Sequence, residues 1–171
     1  MDFDPSQYGT LANDLLCAAG WPDIRMPLVI GECSSAEVRT RLMHKSAKEI
    51  FPNAVHPSAA LSGLYLYIGC FEESHSIAQD TKDVDGSYWH AILHRQEPDA
   101  GNAEYWFHKV GRHALFTNLA HEAELLGYPN KGRWDPIAFV SYCAVADNKK
   151  LAVEVQNIEW QLLFHHCARP K

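Results

Sequence analysis

The segment 86–99, GSYWHAILHRQEPD, decides the fold because it contains one helix, its end and the start of the next. Its apolar residues Trp89, Ile92 and Leu93 recur at helical spacing. Pro98 restricts the residue before it, so the helix is expected to end near Glu97. The aspartate that follows Pro98 is a preferred helix N-cap, so a second helix is expected to begin there.

Similar start and stop signals recur along the 171 residues, whereas strand alternation is nearly absent. The sequence therefore predicts an all-α fold in one domain, residues 1–171, formed as a compact antiparallel bundle of seven or eight helices. The segment with the strongest strand character, Leu28-Val29-Ile30, is too short to form a sheet. The predicted helices span about 4–20, 35–51, 57–79, 86–97, 99–111 and 113–126, then a segment beginning at 135–136, and 149–168.

Composition excludes several classes of protein. The formal net charge of −6 argues against nucleic acid as a partner, because phosphate binding needs a basic surface. The longest apolar run, Leu61–Phe71, is too short to span a bilayer, and the acidic N-terminus lacks the features of a signal peptide. We expect a cytoplasmic protein that binds neither nucleic acid nor membrane.

The five cysteines are odd in number, widely spaced and without a Cys-x-x-Cys pair. Neither a disulfide framework nor a thiolate zinc site is indicated by that pattern. Free thiols in a reducing cytoplasm are therefore expected.

A candidate site follows from helical phase. His75 and His90 are equidistant from the middle of the polar turn 80–85, so an antiparallel helix pair places them at one level. Glu72 and His75, three residues apart, then face His90 and His94, four residues apart. This set, Glu72, His75, His90 and His94, predicts a metal site with open positions, suited to zinc, iron or manganese.

Two alternatives to a metal site stay open. In a metal-free pocket, His90 or His94 would act as acid or base, with Glu72 or Glu97 orienting the imidazole. In the other alternative the same groups satisfy one another in a polar seam of a non-catalytic protein. Such a seam would set helix packing or a homodimer interface.

The next helix adds ligand-binding candidates. Asn102 and Trp106 lie four residues apart on one face, and Arg95 precedes them with a cationic group. An aromatic ring beside polar and charged groups suits a small polar molecule. The simpler interpretation is structural: Trp106 belongs to the core and Asn102 helps to cap its helix.

The segment Ser87-Tyr88-Trp89-His90-Ala91-Ile92-Leu93-His94-Arg95 is followed by Glu97-Pro98-Asp99, Asn102-Ala103 and Tyr105-Trp106-Phe107. This block resembles that of a group of uncharacterised bacterial helical proteins, best over residues 73–116. The resemblance implies no activity, cofactor or mechanism. The function expected from the residues is a histidine-lined pocket that binds, and in its catalytic form transforms, a small polar molecule.

Overall fold

The fold is all-α in the computed structural model, which describes residues 3–144 and 149–171. These residues form ten α-helices after a short 3-10 turn at Pro5–Tyr8, with no strand beyond one bridge between Ala54 and Pro170. The helices are α1 Thr10–Ala18, α2 Ala36–Met43, α3 Ala47–Ile50, α4 Pro57–Tyr67, α5 Phe71–Asp80, α6 Val84–Gln96, α7 Ala100–Val110, α8 Phe116–Leu125, α9 Pro136–Ala144 and α10 Lys149–Ala168.

Several predicted boundaries are confirmed. The Asp99 carboxylate accepts from the Asn102 backbone N–H and caps α7, and the Asp135 carboxylate accepts from the first N–H groups of α9. The last helix, α10, has the predicted bounds. Short polar side chains at these positions satisfy backbone donors that have no partner within the helix.

Two predicted helices are each broken in two, which is why the structure has more helices than expected. The segment 57–79 is interrupted at Gly69, whose φ of +70° ends α4 and allows the Cys70 N–H to bond to the Tyr65 carbonyl. The segment 35–51 is interrupted before Ser46. There Ser46 and Glu49 form a capping box that starts α3.

The expectation that all cysteines are free thiols is wrong. Cys33 and Cys70 form a disulfide, while Cys17, Cys143 and Cys167 are free. The break at Gly69 brings Cys70 beside the loop before α2, where Ser34 also donates two hydrogen bonds to the Ile68 carbonyl. Free thiols therefore no longer support the prediction of a cytoplasmic protein, since disulfides are typical of oxidising compartments.

Helix α6 occupies the centre of the fold. It packs against α4, α5 and α7, and every residue from Tyr88 to Gln96 on it is buried. Gly63 allows α4 and α6 to approach closely, because a Cβ at that position would stand 2.6 Å from Trp89 Cζ2. None of the described helices combines the length and apolar character that a bilayer span requires.

A buried ion pair joins α6 to α10. Arg95 Nη2 donates to Glu159 Oε2 at 2.5 Å, and Tyr88 Oη donates to Glu159 Oε1 at 3.0 Å. The side chains of Arg95 and Glu159 are 1% and 0% exposed, so each charge has lost its hydration. The guanidinium also lies over the Phe139 ring at 4.7 Å from its centroid.

We expect Gly63→Ala to destabilise the fold by about 1–3 kcal/mol, because the added methyl group displaces the Trp89 ring from a packed core. The matched control is Gly101→Ala in α7, where a Cβ meets nothing closer than 3.8 Å. That change should be neutral or stabilise by up to about 1 kcal/mol. Urea unfolding measures both. Equal effects at the two glycines would contradict the packing described here.

We expect Arg95→Met to cost about 3–5 kcal/mol, because it leaves the Glu159 carboxylate buried without a counter-charge. The double variant Arg95→Met, Glu159→Leu should recover much of that loss. Arg41→Met is the control, since its pair with Glu37 is on the surface and is worth less than about 1 kcal/mol. If the double variant loses as much free energy of unfolding as the two single variants lose together, the two charges are not coupled.

Candidate functional site

The predicted meeting of His75 and His90 is confirmed. His75 on α5 and His90 on α6 approach with their Nε2 atoms 2.9 Å apart. Their rings are nearly perpendicular, with centroids separated by 4.4 Å. The polar segment between the two helices is short enough to hold them antiparallel, as the sequence indicated.

His94 lies one turn further along α6 and joins the same group. Its ring stacks on that of His90 with a centroid distance of 4.9 Å, as helical spacing of four residues allows. Its Nδ1 is 2.8 Å from Glu97 Oε2, so Nδ1 donates to the carboxylate and Nε2 stays free of that bond. Glu97 therefore orients His94, as one of the sequence alternatives proposed.

Three imidazoles are thus in a position to hold one metal ion. His75, His90 and His94 each offer a nitrogen within 4.8 Å of the others. Ligand nitrogens around a tetrahedral zinc ion lie about 3.3 Å apart, so a small adjustment from the 2.9 Å contact would suffice. Glu72, the fourth predicted ligand, is exposed and does not belong to this group among the described residues.

The environment of His90 keeps its imidazole neutral. Burial, and then the nearby imidazoles of His75 and His94 and the Lys109 ammonium, lower the pKa of His90 to about 3. Its Nδ1 is buried and has no hydrogen-bond partner among the described residues. A neutral imidazole is the form that coordinates a metal ion.

Trp106 closes one side of the cluster. Its indole ring stacks on His90 with a centroid distance of 3.9 Å and an interplanar angle of 13°. The ammonium of Lys109 lies 4.0 Å from the centre of the Trp106 ring. Trp106 is partly exposed and Lys109 is exposed, so the two residues form the border between the histidines and solvent.

The other predicted ligand-binding residues lie elsewhere or are less involved. Asn102 is half-buried on the same face of α7 as Trp106, and its backbone N–H is bonded to Asp99. Arg95 does not contribute a contact to the histidines: its guanidinium pairs with Glu159. Sequence reasoning missed that pair because the two residues lie far apart in the chain.

A second group of ionisable residues was also missed. His56, Asp85 and His166 come from three distant segments, and each offers a ligand atom within 4.8 Å of the other two. No local spacing connects them, so only the packing of the helices brings them together. A third group, His94 with Glu97 and Asp99, shares His94 with the first, and its carboxylates are exposed.

Comparisons with family models, with curated proteins and with solved structures find no match to this chain. The function is therefore argued from the geometry of the site.

We expect His90 to remain unprotonated from pH 8 down to about pH 4 in the metal-free protein, because burial lowers its pKa to about 3. Since the unfolded chain binds this proton near pH 6.5, the group makes folding less favourable as the pH falls below that value. Imidazole NMR shifts measure the titration, with His90→Gln used to assign the signals. A His90 shift that titrates near pH 6 would contradict the burial described.

Proposed function

We propose that this protein binds a divalent transition-metal ion through His75, His90 and His94, and that the ion holds a small polar molecule. The observation that carries the proposal is the convergence of three imidazole nitrogens, two of them 2.9 Å apart, from adjacent turns of α5 and α6. Zinc is the best suited ion, since three histidines with an open fourth position are typical of catalytic zinc sites.

The partners of the histidines support this assignment. Glu97 accepts from His94 Nδ1 and so leaves Nε2 available, which is the usual arrangement of a carboxylate behind a metal-bound histidine. Trp106 fixes the His90 ring by stacking. The ligands would thus be held in place before the metal arrives.

The bound ion would supply Lewis acidity. Three neutral imidazoles do not cancel its charge, so a water or polar ligand at the open position would be strongly polarised. Lys109 beside Trp106 adds a second positive charge at the border of the site, which favours a ligand with an anionic or electron-rich group. The protein would then act as a metal-dependent binding protein or as an enzyme that activates water.

We expect His75→Gln and His94→Gln each to weaken Co²⁺ binding at this site by more than about 100-fold, and Glu97→Gln by about 10–100-fold. Co²⁺ replaces zinc as a visible probe, and its absorption spectrum reports histidine coordination. The matched control is His121→Gln, which changes an exposed histidine on α8.

The alternative is a polar seam in which the histidines only support packing. It predicts that His94→Gln lowers the free energy of unfolding while Co²⁺ binding matches that of the unaltered protein. An equal number of tightly bound Co²⁺ equivalents in His75→Gln, His94→Gln and His121→Gln would therefore reject the metal site. Unfolding by urea, run in parallel, shows whether each variant is folded.

A further inference from the structure

Asp85, in the first turn of α6, is a buried carboxylate surrounded by three imidazoles. Its Oδ1 lies 3.0 Å from His113 Nε2 and 3.5 Å from His166 Nε2, and its Oδ2 lies 3.5 Å from His56 Nε2. His56 precedes α4, His113 lies between α7 and α8, and His166 is in the last turn of α10. Four separate segments thus meet at one carboxylate.

His113 is the positioning residue of this group. The Leu115 backbone N–H donates to His113 Nδ1 at 3.2 Å, so that nitrogen is an acceptor and the ring proton is on Nε2. His113 Nε2 then donates to Asp85 Oδ1. The bond fixes the orientation of the carboxylate and occupies one of its lone pairs, leaving Oδ2 for another partner.

Asp85 carries a negative charge that no lysine or arginine pairs with among the residues that the structure describes. The residue is 1% exposed, and its described ion-pair partners are all imidazoles. A carboxylate is costly to bury unless a cation or hydrogen-bond donors compensate its charge.

The distances are compatible with coordination by both oxygens of Asp85. His56 Nε2 lies 3.5 Å from Asp85 Oδ2 and His166 Nε2 lies 3.5 Å from Asp85 Oδ1, and both distances are long for a hydrogen bond between nitrogen and oxygen. Ligand atoms that share a metal ion with bonds of about 2.0–2.2 Å lie about 2.9–3.5 Å apart. The rings of His56 and His166 are also nearly parallel, with an interplanar angle of 13°.

A cavity borders His56, one member of this group. It has a volume of about 440 Å³, and its wall includes His56 and the carboxylates of Asp80 and Asp83. Asp83 Oδ2 lies 3.5 Å from His56 Nδ1, on the side of the ring away from Asp85. Acidic walls attract cations, and Asp83 adds a negative charge beside His56.

We propose that His56, Asp85 and His166 form a second metal site, which binds a divalent first-row transition metal and is open to the cavity beside His56. Two histidines and one carboxylate with free positions are the ligand set of non-haem iron(II) centres, and zinc accepts the same donors. The free positions would hold water or a small ligand that enters through the cavity.

The second site is separate from the one formed by His75, His90 and His94. Asp85 and His90 are five residues apart on α6, which is a rise of about 7.5 Å and a rotation of about 140°. The two groups share no residue. The proposal for the second site therefore stands or falls independently of the first.

Co²⁺ titration of the metal-free protein tests the second site, in a His75→Gln background that weakens the first. We expect one tight equivalent to remain. Its affinity should fall more than about 100-fold on His56→Gln or Asp85→Asn. The control is His165→Gln. His165 is next to His166 in the chain but bonds to Tyr8, so this change should leave the affinity unchanged.

Asp85→Asn keeps the acceptor for His113 and removes the charge, so it separates coordination from hydrogen bonding. If that variant fails to fold, the half-buried His56→Gln gives the same test. Tight Co²⁺ binding that survives both changes would overturn the proposal, as would the absence of any tight equivalent in the His75→Gln background. Asp85 would then be part of a histidine–aspartate network that only stabilises the fold.

Discussion

The structure depends on one constraint: α6 is buried along nearly its whole length, yet it carries several polar and ionisable side chains. An unpaired buried polar group costs on the order of 1–3 kcal/mol, and an unpaired charge costs more. Each of these side chains therefore needs a partner, and apart from His94, which bonds to nearby Glu97, the partners come from other parts of the chain. Asp85 meets imidazoles, His90 meets His75 and Arg95 meets Glu159.

These partners fix α6 in rotation and along its axis. Gln96, near the C-terminal end of α6, donates to the Pro27 carbonyl at 2.8 Å, and Gln156 of α10 donates to the same carbonyl at 3.0 Å. Arg95, next to Gln96, must face α10, because its counter-charge Glu159 is on that helix. Rotation of α6 would break bonds on all sides at once. The two clusters of potential metal ligands are thus held by the same contacts that hold the core.

Local signals in the sequence were sufficient for the fold class and for part of the site. Asp99 caps α7 because its carboxylate reaches the next turn, an interaction set within four residues. His75 and His90 meet because a short turn forces two antiparallel helices together. Both outcomes depend on spacing along the chain, which the sequence displays directly.

Long-range packing was not accessible in the same way. Gly69 breaks an apolar run that continues through it, so periodicity alone predicted one helix across residues 57–79. The Cys33–Cys70 disulfide depends on that break, which places Cys70 beside the loop before α2. The Arg95–Glu159 pair depends on the packing of α10 against α6. Asp85 is similar: its imidazole partners come from segments that approach only when the helices pack. The prediction for Glu72 was wrong for the opposite reason. Helical phase permitted Glu72 to join the histidines, but the packing of the helices leaves it exposed to solvent.

The balance of donors and acceptors is one reason why we propose a metal site at His75, His90 and His94 instead of a polar seam. When His94 is neutral and donates from Nδ1 to Glu97, its Nε2 carries a lone pair with no proton. Between His75 and His90, one proton serves two nitrogens. His94 donates its proton in the hydrogen bond to Glu97, so the remaining two protons of three neutral rings face three lone pairs. A cation bound by the three rings would take up the lone pair of His94 Nε2, whereas further packing of apolar side chains would not.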